Sequence, residues 1–267
     1  MPADGWHLVT GGAGFIGSNL VHRLAAQGAR VRVFDNLSSG RLENLAGLEQ
    51  AVDFVRGDLR DAAAVRAALR GVRHVFHAGA LASVQASVDD PATTHEVNVT
   101  GTLNVLLAAR DAGAERVVFS SSASVYGDSP VMPKREDMLP APLTGYALSK
   151  LAGEHYGRIF HGLYGLNFFA LRYFNVFGPR QDPTSHYAAV IPLFLRAYLA
   201  GRQPTIYGDG RQTRDFTFVE DIVAANLCCR TAPASAAGGV YNIAYGDRVS
   251  VNDLARQIAA LAWMPFA

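Results

Sequence analysis

The sequence predicts an α/β fold, a doubly wound parallel sheet with helices on both faces, followed by a smaller C-terminal region packed on it. Three observations carry this reading. Short apolar runs alternate with helix-like stretches through the first two thirds of the chain. A glycine-rich turn joins the first apolar run to the first helix-like stretch. No repeat, charge block or low-complexity linker sets off an independent module.

The elements follow in order. His7-Leu8-Val9 is a short strand, and 16–27 has helical spacing that stops at Gly28. Residues 31–34 form a second strand closed by Asp35, and 52–55 a third. The alanine-rich stretch 61–70 favours helix, with Asp61 as N-cap and Gly71 after the last turn. Residues 72–77 are a fourth strand, 97–112 a helix ended by Gly113, and 116–120 a fifth strand. A long helix over 146–164 precedes a sixth strand at 167–172. Beyond Asn175 the alternation weakens, and Pro179, Pro183 and Pro192 punctuate the chain. A helix at 191–200, a late strand at 240–244 and a last helix at 251–262 complete the pattern. This divides the chain into a first domain, 1–175, and a second region, 176–267, partly interwoven with it.

Composition narrows the partners. The 267 residues are 49% hydrophobic and 18% charged, with a formal net charge of +1, so neither nucleic acid nor a membrane surface has a driving charge. The two cysteines, Cys228 and Cys229, are adjacent and cannot staple distant segments, which fits a reducing compartment and packing within a helix. The N-terminus carries no signal-peptide pattern and no run is long enough to span a membrane, so a cytoplasmic location is expected. His74 and His77 lack carboxylates at ligand spacing and read as strand histidines, with no metal site expected. Asp89 and Asp90 precede Pro91 and suit a helix start.

The turn Gly11-Gly12-Ala13-Gly14-Phe15-Ile16-Gly17 meets the positional demands of a Rossmann-type dinucleotide site: strand before, helix after. Glycine suits a tight turn, close backbone approach to a pyrophosphate, and close helix–strand packing. The helix start offers free N–H groups to phosphate. Asp35 closes the second strand about two dozen residues beyond Gly11, where an acid holds the adenosine ribose hydroxyls and repels a 2′-phosphate; NAD is therefore favoured over NADP. Asp58 and Leu59, after the third strand, flank the adenine or form a polar turn.

Tyr146 and Lys150 stand four residues apart and share a helix face. A nearby cation lowers a phenol's pKa, which lets the tyrosine act as a base toward an alcohol. The cluster Ser120-Ser121-Ser122 ends the fifth strand at the same sheet edge as the glycine turn, where open α/β sheets bind ligands.

At these residues the chain resembles the extended short-chain dehydrogenase family, in its NAD-dependent epimerase/dehydratase branch. Within that branch it is most similar to the UDP-glucose and UDP-N-acetylglucosamine 4-epimerases. The matching segments are 10–17, 35–40, 119–127, 146–150 and 171–178. The resemblance implies Tyr146 as general base, Lys150 on the nicotinamide ribose, and Ser122 on the sugar 4-hydroxyl. It puts Gly11, Gly14, Phe15, Ile16, Gly17, Asp35, Asn36, Ser39, Gly40, Asp58, Leu59, Ala78, Ala80, Asn98, Ser120 and Tyr173 on the cofactor side. Ser83, Asn175, Arg214 and Asp215 match the nucleotide-sugar side.

The reaction so implied is a reversible oxidation at C4 of a UDP-hexose with NAD retained, in a homodimer built on two helices of each subunit. Related 4,6-dehydratases carry an Asp-Glu pair after the catalytic hydroxyl; Ala123 and Ser124 stand here, which argues against dehydration. Relatives continue beyond the final helix, so 176–267 is expected to be a shortened sugar-binding region. Two further readings follow from that: an oxidoreductase on smaller alcohols or ketones, and a cofactor-binding protein of low turnover.

Overall fold

Seven strands form one all-parallel sheet: β1 (Trp6–Thr10), β2 (Val31–Asp35), β3 (Val52–Arg56), β4 (Val72–His77), β5 (Arg116–Ser122), β6 (Asn167–Tyr173) and β10 (Val240–Ile243). Two-residue ribbons lie beyond it, pairing β7 (Val176–Phe177) with β9 (Thr217–Phe218), and β8 (Thr213–Arg214) with β11 (Val249–Ser250). The computed structural model describes residues 5–184, 189–264 and 266, so the first four residues, Pro265 and Ala267 of the sequence reading lie outside the described residues.

The strand order is β10-β6-β5-β4-β1-β2-β3. The chain winds outward from β1 to β3, returns, and winds the other way from β4. The reversal opens a crevice at the carboxyl ends of β1 and β4, where ligands of such sheets bind. The edge strand β10 comes from the second region and pairs in register with β6, Val240 opposite Ala170.

Alternate residues along the strands feed two cores, as a sheet buried on both faces requires. Leu8, Val75, Val117, Phe119 and Phe168 pack with α2 (Ala62–Ala68), α5 (Gly101–Asp111) and α6 (Gly145–Tyr164). Val9, Val33, Phe76, Val118 and Phe169 pack with α1 (Phe15–Ala26) and α8 (Val219–Thr231). A third cluster joins α7 (Val190–Leu199) to α9 (Val251–Leu261) through Phe194, Tyr198, Leu254 and Ile258. Among the described residues no helix is long and apolar enough to cross a membrane.

Helix α6 lies unusually close to the sheet. A Cβ at Gly153 would stand 2.4 Å from the Phe119 ring, and one at Gly157 2.1 Å from the Phe168 ring. Two glycines one turn apart thus let two strand aromatics press against the helix backbone, fixing its height above β5 and β6.

The helix expected over 97–112 differs in form. The chain turns helical earlier, in α3 (Val84–Asp89) and α4 (Pro91–His95), passes through one wide π turn over Glu96–Thr100, and then enters α5. The start is set by Asp90, whose carboxylate caps Thr93 N–H at 3.0 Å, and by Pro91 in the first turn. This is the helix start read from Asp89, Asp90 and Pro91 in the sequence, although apolar spacing alone carries no trace of it. Helix α8 is read in the sequence only through the Cys228-Cys229 pair placed within a helix: Phe218 precedes it without a side-chain cap, and Glu220 and Asp221 in its first turn are the one local start signal.

Candidate functional site

The glycine turn leaves β1 at Thr10. Gly11 sits at φ +66°, and a Cβ on it would lie 2.6 Å from Gly79 Cα. A Cβ on Gly17 would meet the Gly11 carbonyl oxygen at 2.1 Å. These two glycines therefore pack the turn against the β4 exit and against its own helix. Gly14 differs: a Cβ there meets only Gly11 O, at 3.2 Å, and otherwise reaches into open space beside the start of α1. No side chain caps the N-terminus of α1, so its first-turn amides, those of Phe15, Ile16 and Gly17, stand at that opening.

Asp35 closes β2 and is buried. One carboxylate oxygen accepts Ala13 N–H at 3.0 Å and the other Leu37 N–H at 2.8 Å. Gly40 is pressed against it; a Cβ there would lie 2.9 Å from both oxygens. Asn36 donates to Asp58 at 3.1 Å, and the Arg60 guanidinium beside Asp58 holds that carboxyl well below the usual carboxylate range. Leu59 is buried beneath Gly101, and Ser39 is exposed on the loop.

Ala78 donates its N–H to Thr10 O at 3.2 Å, which starts the 78–80 segment containing Ala80 across from the turn. Asn98 is more committed than the sequence reading has it. Its amide bonds Leu81 O at 3.0 Å and Ser149 Oγ at 3.1 Å, and its carbonyl accepts Leu81 N–H at 2.8 Å. It fastens the loop after β4 to α6.

The catalytic candidates converge at the carboxyl end of β5. Thr144 caps α6, and the helix brings Tyr146 and Lys150 over the strand end. The Lys150 ammonium donates to Ser120 O at 2.8 Å and lies 5.8 Å from the centre of the Tyr146 ring. Burial pushes Lys150 down to about 8. The Tyr146 phenol is raised, because burial strips water from the phenolate; a hydrogen bond with Ser122 pulls the other way. The sequence reading has Lys150 lowering the tyrosine. In the structure that ammonium donates one of its N–H groups to the Ser120 carbonyl, and Ser122 adds a hydrogen bond that also favours the phenolate. Ser122 Oγ also accepts Ser124 N–H at 3.2 Å. Tyr173 stands on the far side, its hydroxyl 3.2 Å from Ser120 Oγ and accepting from Asn226 at 2.7 Å; burial pushes it up to about 12.

Asn175 and Arg214 line one open cleft of about 700 Å³, together with Phe177, Arg196, Arg202, Tyr207 and Gln212. Asp215 is not on its lining. Its carboxylate accepts Tyr245 N–H at 3.0 Å and Gly246 N–H at 2.8 Å, and its carbonyl takes the Asn175 amide at 2.7 Å. Ser83 caps α3 through Ala86 N–H at 3.0 Å.

Sequence reasoning missed a buried network beside the catalytic helix. Arg172 makes a double bond of charge to Glu154, at 2.8 and 2.7 Å, and Ser121 donates to the same carboxylate. The spacing from Lys150 to Glu154 held a clue, since it continues the helix face. Asn226, Arg196 and Arg202 carried no local signal. His77 is buried between the Thr10 hydroxyl at 2.7 Å and the Thr102 hydroxyl at 2.9 Å, and burial pushes it down to about 3.

Residues 7–244 match the model of the NAD dependent epimerase/dehydratase family. A UDP-glucose 4-epimerase of Mycolicibacterium smegmatis is 44% identical, with 97% of this chain and 83% of that protein covered. The UDP-N-acetylglucosamine 4-epimerase of Methanobrevibacter ruminantium, solved with UDP-N-acetylmuramic acid, superposes with a TM-score of 0.91 at 41% identity, covering 97% of this chain and 82% of that one. The Thermus thermophilus UDP-glucose 4-epimerase, solved with NAD, gives a TM-score of 0.89 at 39% identity, covering 97% and 84%.

Proposed function

The chain belongs to the NAD dependent epimerase/dehydratase family, and we propose that it interconverts the C4 epimers of a UDP-hexose through a transient 4-keto sugar. The observation that carries this is the meeting of Tyr146, Ser122 and Lys150 at one strand end beside the glycine turn.

The turn fits a dinucleotide: open space lies over Gly14, uncapped first-turn amides face it, and a buried aspartate closes the neighbouring strand. Gly11, Gly14, Phe15, Ile16 and Gly17 would hold the pyrophosphate, and Asp35, with Asn36, Ser39 and Gly40, the adenosine ribose. Asp58 and Leu59 would flank the adenine, and Ala78, Ala80, Asn98, Ser120 and Tyr173 the nicotinamide half. Bound NAD supplies a hydride acceptor and donor at C4.

The chain's own residues handle the proton. Tyr146, as phenolate, takes it from the sugar 4-hydroxyl and later returns it to the 4-keto oxygen. Ser122 bonds the same sugar oxygen and, through its hydroxyl contact with Tyr146, favours the phenolate. Lys150 sits buried between the Tyr146 ring and Ser120 O, where its charge favours the phenolate and its remaining N–H groups would hold the nicotinamide ribose. Arg214 would pair with the diphosphate and Asn175 with the nucleotide sugar along the cleft they share, Asp215 holding Asn175 in place and Ser83 lying beside the sugar. Ala123 and Ser124 offer no acid for a dehydration.

We divide these roles between a cofactor domain, 1–175, and a nucleotide-sugar region, 176–267. A homodimer is favoured by the exposed Leu148, Ile159 and Leu163 on one face of α6, an apolar stripe that a second copy would cover.

Incubation with UDP-galactose, without added NAD, tests the reading. Formation of UDP-glucose is expected, with NAD released only on denaturation. No conversion of any UDP-hexose, together with stoichiometric reduction of added NAD by small alcohols, would replace it with the oxidoreductase reading.

A further inference from the structure

The four chemical groups of the proposed site come from three elements: Tyr146 and Lys150 from α6, Ser122 from β5, and Tyr173 from β6. Apolar packing fixes the height of a helix over a sheet, and a directional polar contact adds a constraint on their register. One carboxylate touches all three. Glu154 lies one helical turn beyond Lys150, which itself follows Tyr146 by one turn, so the three share a face of α6. Its two oxygens take Arg172 Nε at 2.8 Å and Nη2 at 2.7 Å. Arg172 directly precedes Tyr173 in β6. The Glu154 oxygen that meets Arg172 Nε also accepts the hydroxyl of Ser121, which lies between Ser120 and Ser122 in β5. Both charges are fully buried, each with 3% of its side chain exposed.

A buried ion pair is poor at adding net stability, because desolvating both charges offsets their attraction; an apolar pair of similar size serves as well or better. What it does supply is direction. The planar guanidinium fork accepts a carboxylate in one orientation only. The assembly is also braced from behind: the Arg172 guanidinium lies 4.7 Å from the centre of the Tyr126 ring, and the Tyr126 hydroxyl donates to Asn242 in β10 at 2.7 Å.

We propose that Glu154 is a positioning residue of the epimerase site: its carboxylate locks the helix carrying Tyr146 and Lys150 to the strands carrying Ser122 and Tyr173. It touches neither sugar nor cofactor. It acts by holding the Ser122 hydroxyl within reach of the Tyr146 phenol. The inference rests on the proposed function for its kinetic readout and on geometry alone for its second readout.

Two variants test it. Ser121→Ala cuts the link to β5 and leaves the ion pair intact, so folding is preserved. The double variant Glu154→Gln/Arg172→Met removes the lock without stranding a buried charge. Each is compared with wild type in UDP-galactose turnover, in NAD content, and in an ultraviolet difference titration of the Tyr146 phenol with Tyr146→Phe as blank. Lys150, the charged neighbour of that phenol, is unchanged in every arm.

A displacement of under an ångström at reacting groups costs on the order of ten- to a hundredfold in rate. The expected result is therefore a kcat lowered at least about tenfold with KM within about twofold, unchanged NAD, and a phenol titration moved upward. Folded variants with wild-type kcat and wild-type phenol titration would overturn the inference. If wild type itself converts no UDP-hexose, the proposed function falls, and the phenol titration alone decides whether Glu154 positions Ser122 against Tyr146.

Discussion

Acidification through the histidine range should destabilise this protein, and His77 is the residue that makes the loss measurable. The imidazole is 2% exposed and links the end of β4 to Thr10 at the end of β1 and to Thr102 in the first turn of α5. Thr102 spends its hydroxyl proton on Asn98 O at 2.6 Å, so at the 2.9 Å contact with His77 it accepts from Nε2–H. Nδ1 is then the acceptor for the Thr10 hydroxyl at 2.7 Å. A second proton on Nδ1 would oppose that hydroxyl inside the core, and the charge of Lys150 disfavours it further. Burial is the main reason that the folded value sits at about 3, against 6.5 for the free side chain.

The sign follows directly. Between those values the unfolded chain binds the proton and the folded one does not, so stability falls as pH falls through 6.5, and the contribution of this imidazole is fully lost only below about 3. At pH 4.5 the ratio of binding polynomials gives a loss of about 3 kcal/mol relative to pH 8. That figure depends only on the folded value lying below the assay pH. Urea unfolding of wild type and His77→Asn at both pH values isolates it. The variant loses a hydrogen bond at all pH values, but its drop on acidification should be smaller by about 2 to 3 kcal/mol. Equal drops in the two proteins, within about 0.5 kcal/mol, would refute the buried neutral imidazole.

Tyr146→Phe should remove the base and leave the cradle intact, so UDP-hexose conversion falls by about a thousandfold or more while NAD stays bound at wild-type content. Arg214→Ala should raise KM for the UDP-sugar about tenfold with kcat within about threefold, measured by initial rates, because a cleft-wall cation binds ground and transition states alike. Asp35→Ala should weaken NAD and strip the Ala13 and Leu37 amides of their acceptor, read as loss of cofactor on gel filtration and a Tm lowered by several degrees, roughly 1–2 kcal/mol. Gly17→Ala forces a methyl onto the Gly11 carbonyl, 2.1 Å away; soluble protein without NAD is the expected outcome, and a full cofactor load would contradict the packing of the turn.

Much of the fold could be read along the chain because the signals were local. Alternation placed the sheet strands and α1, α2, α6, α7 and α9 to within about two residues. The glycine turn, the aspartate closing β2, the serine run and the Tyr-Ala-Leu-Ser-Lys helix start lie within single elements, so the chain itself announces them. The sequence also determined which sheet edge those groups share, since each ends a strand or opens a helix there. It did not determine where the polar atoms point. Asp215 turned out to hold backbone, Asn98 to fasten a loop, and Lys150 to bond a strand carbonyl, because each of those partners lies far away in sequence or on another element, whereas Ser83 caps the helix that starts beside it. The bounds of α8 and the Glu154–Arg172 lock belong to the tertiary structure. Helix α8 buries Val219, Ile222, Val223, Asn226 and Cys229 along one face, but the polar Asn226 blurs that stripe in the sequence, and a salt bridge joining a helix to a strand becomes visible only when two glycines let that helix settle onto the sheet.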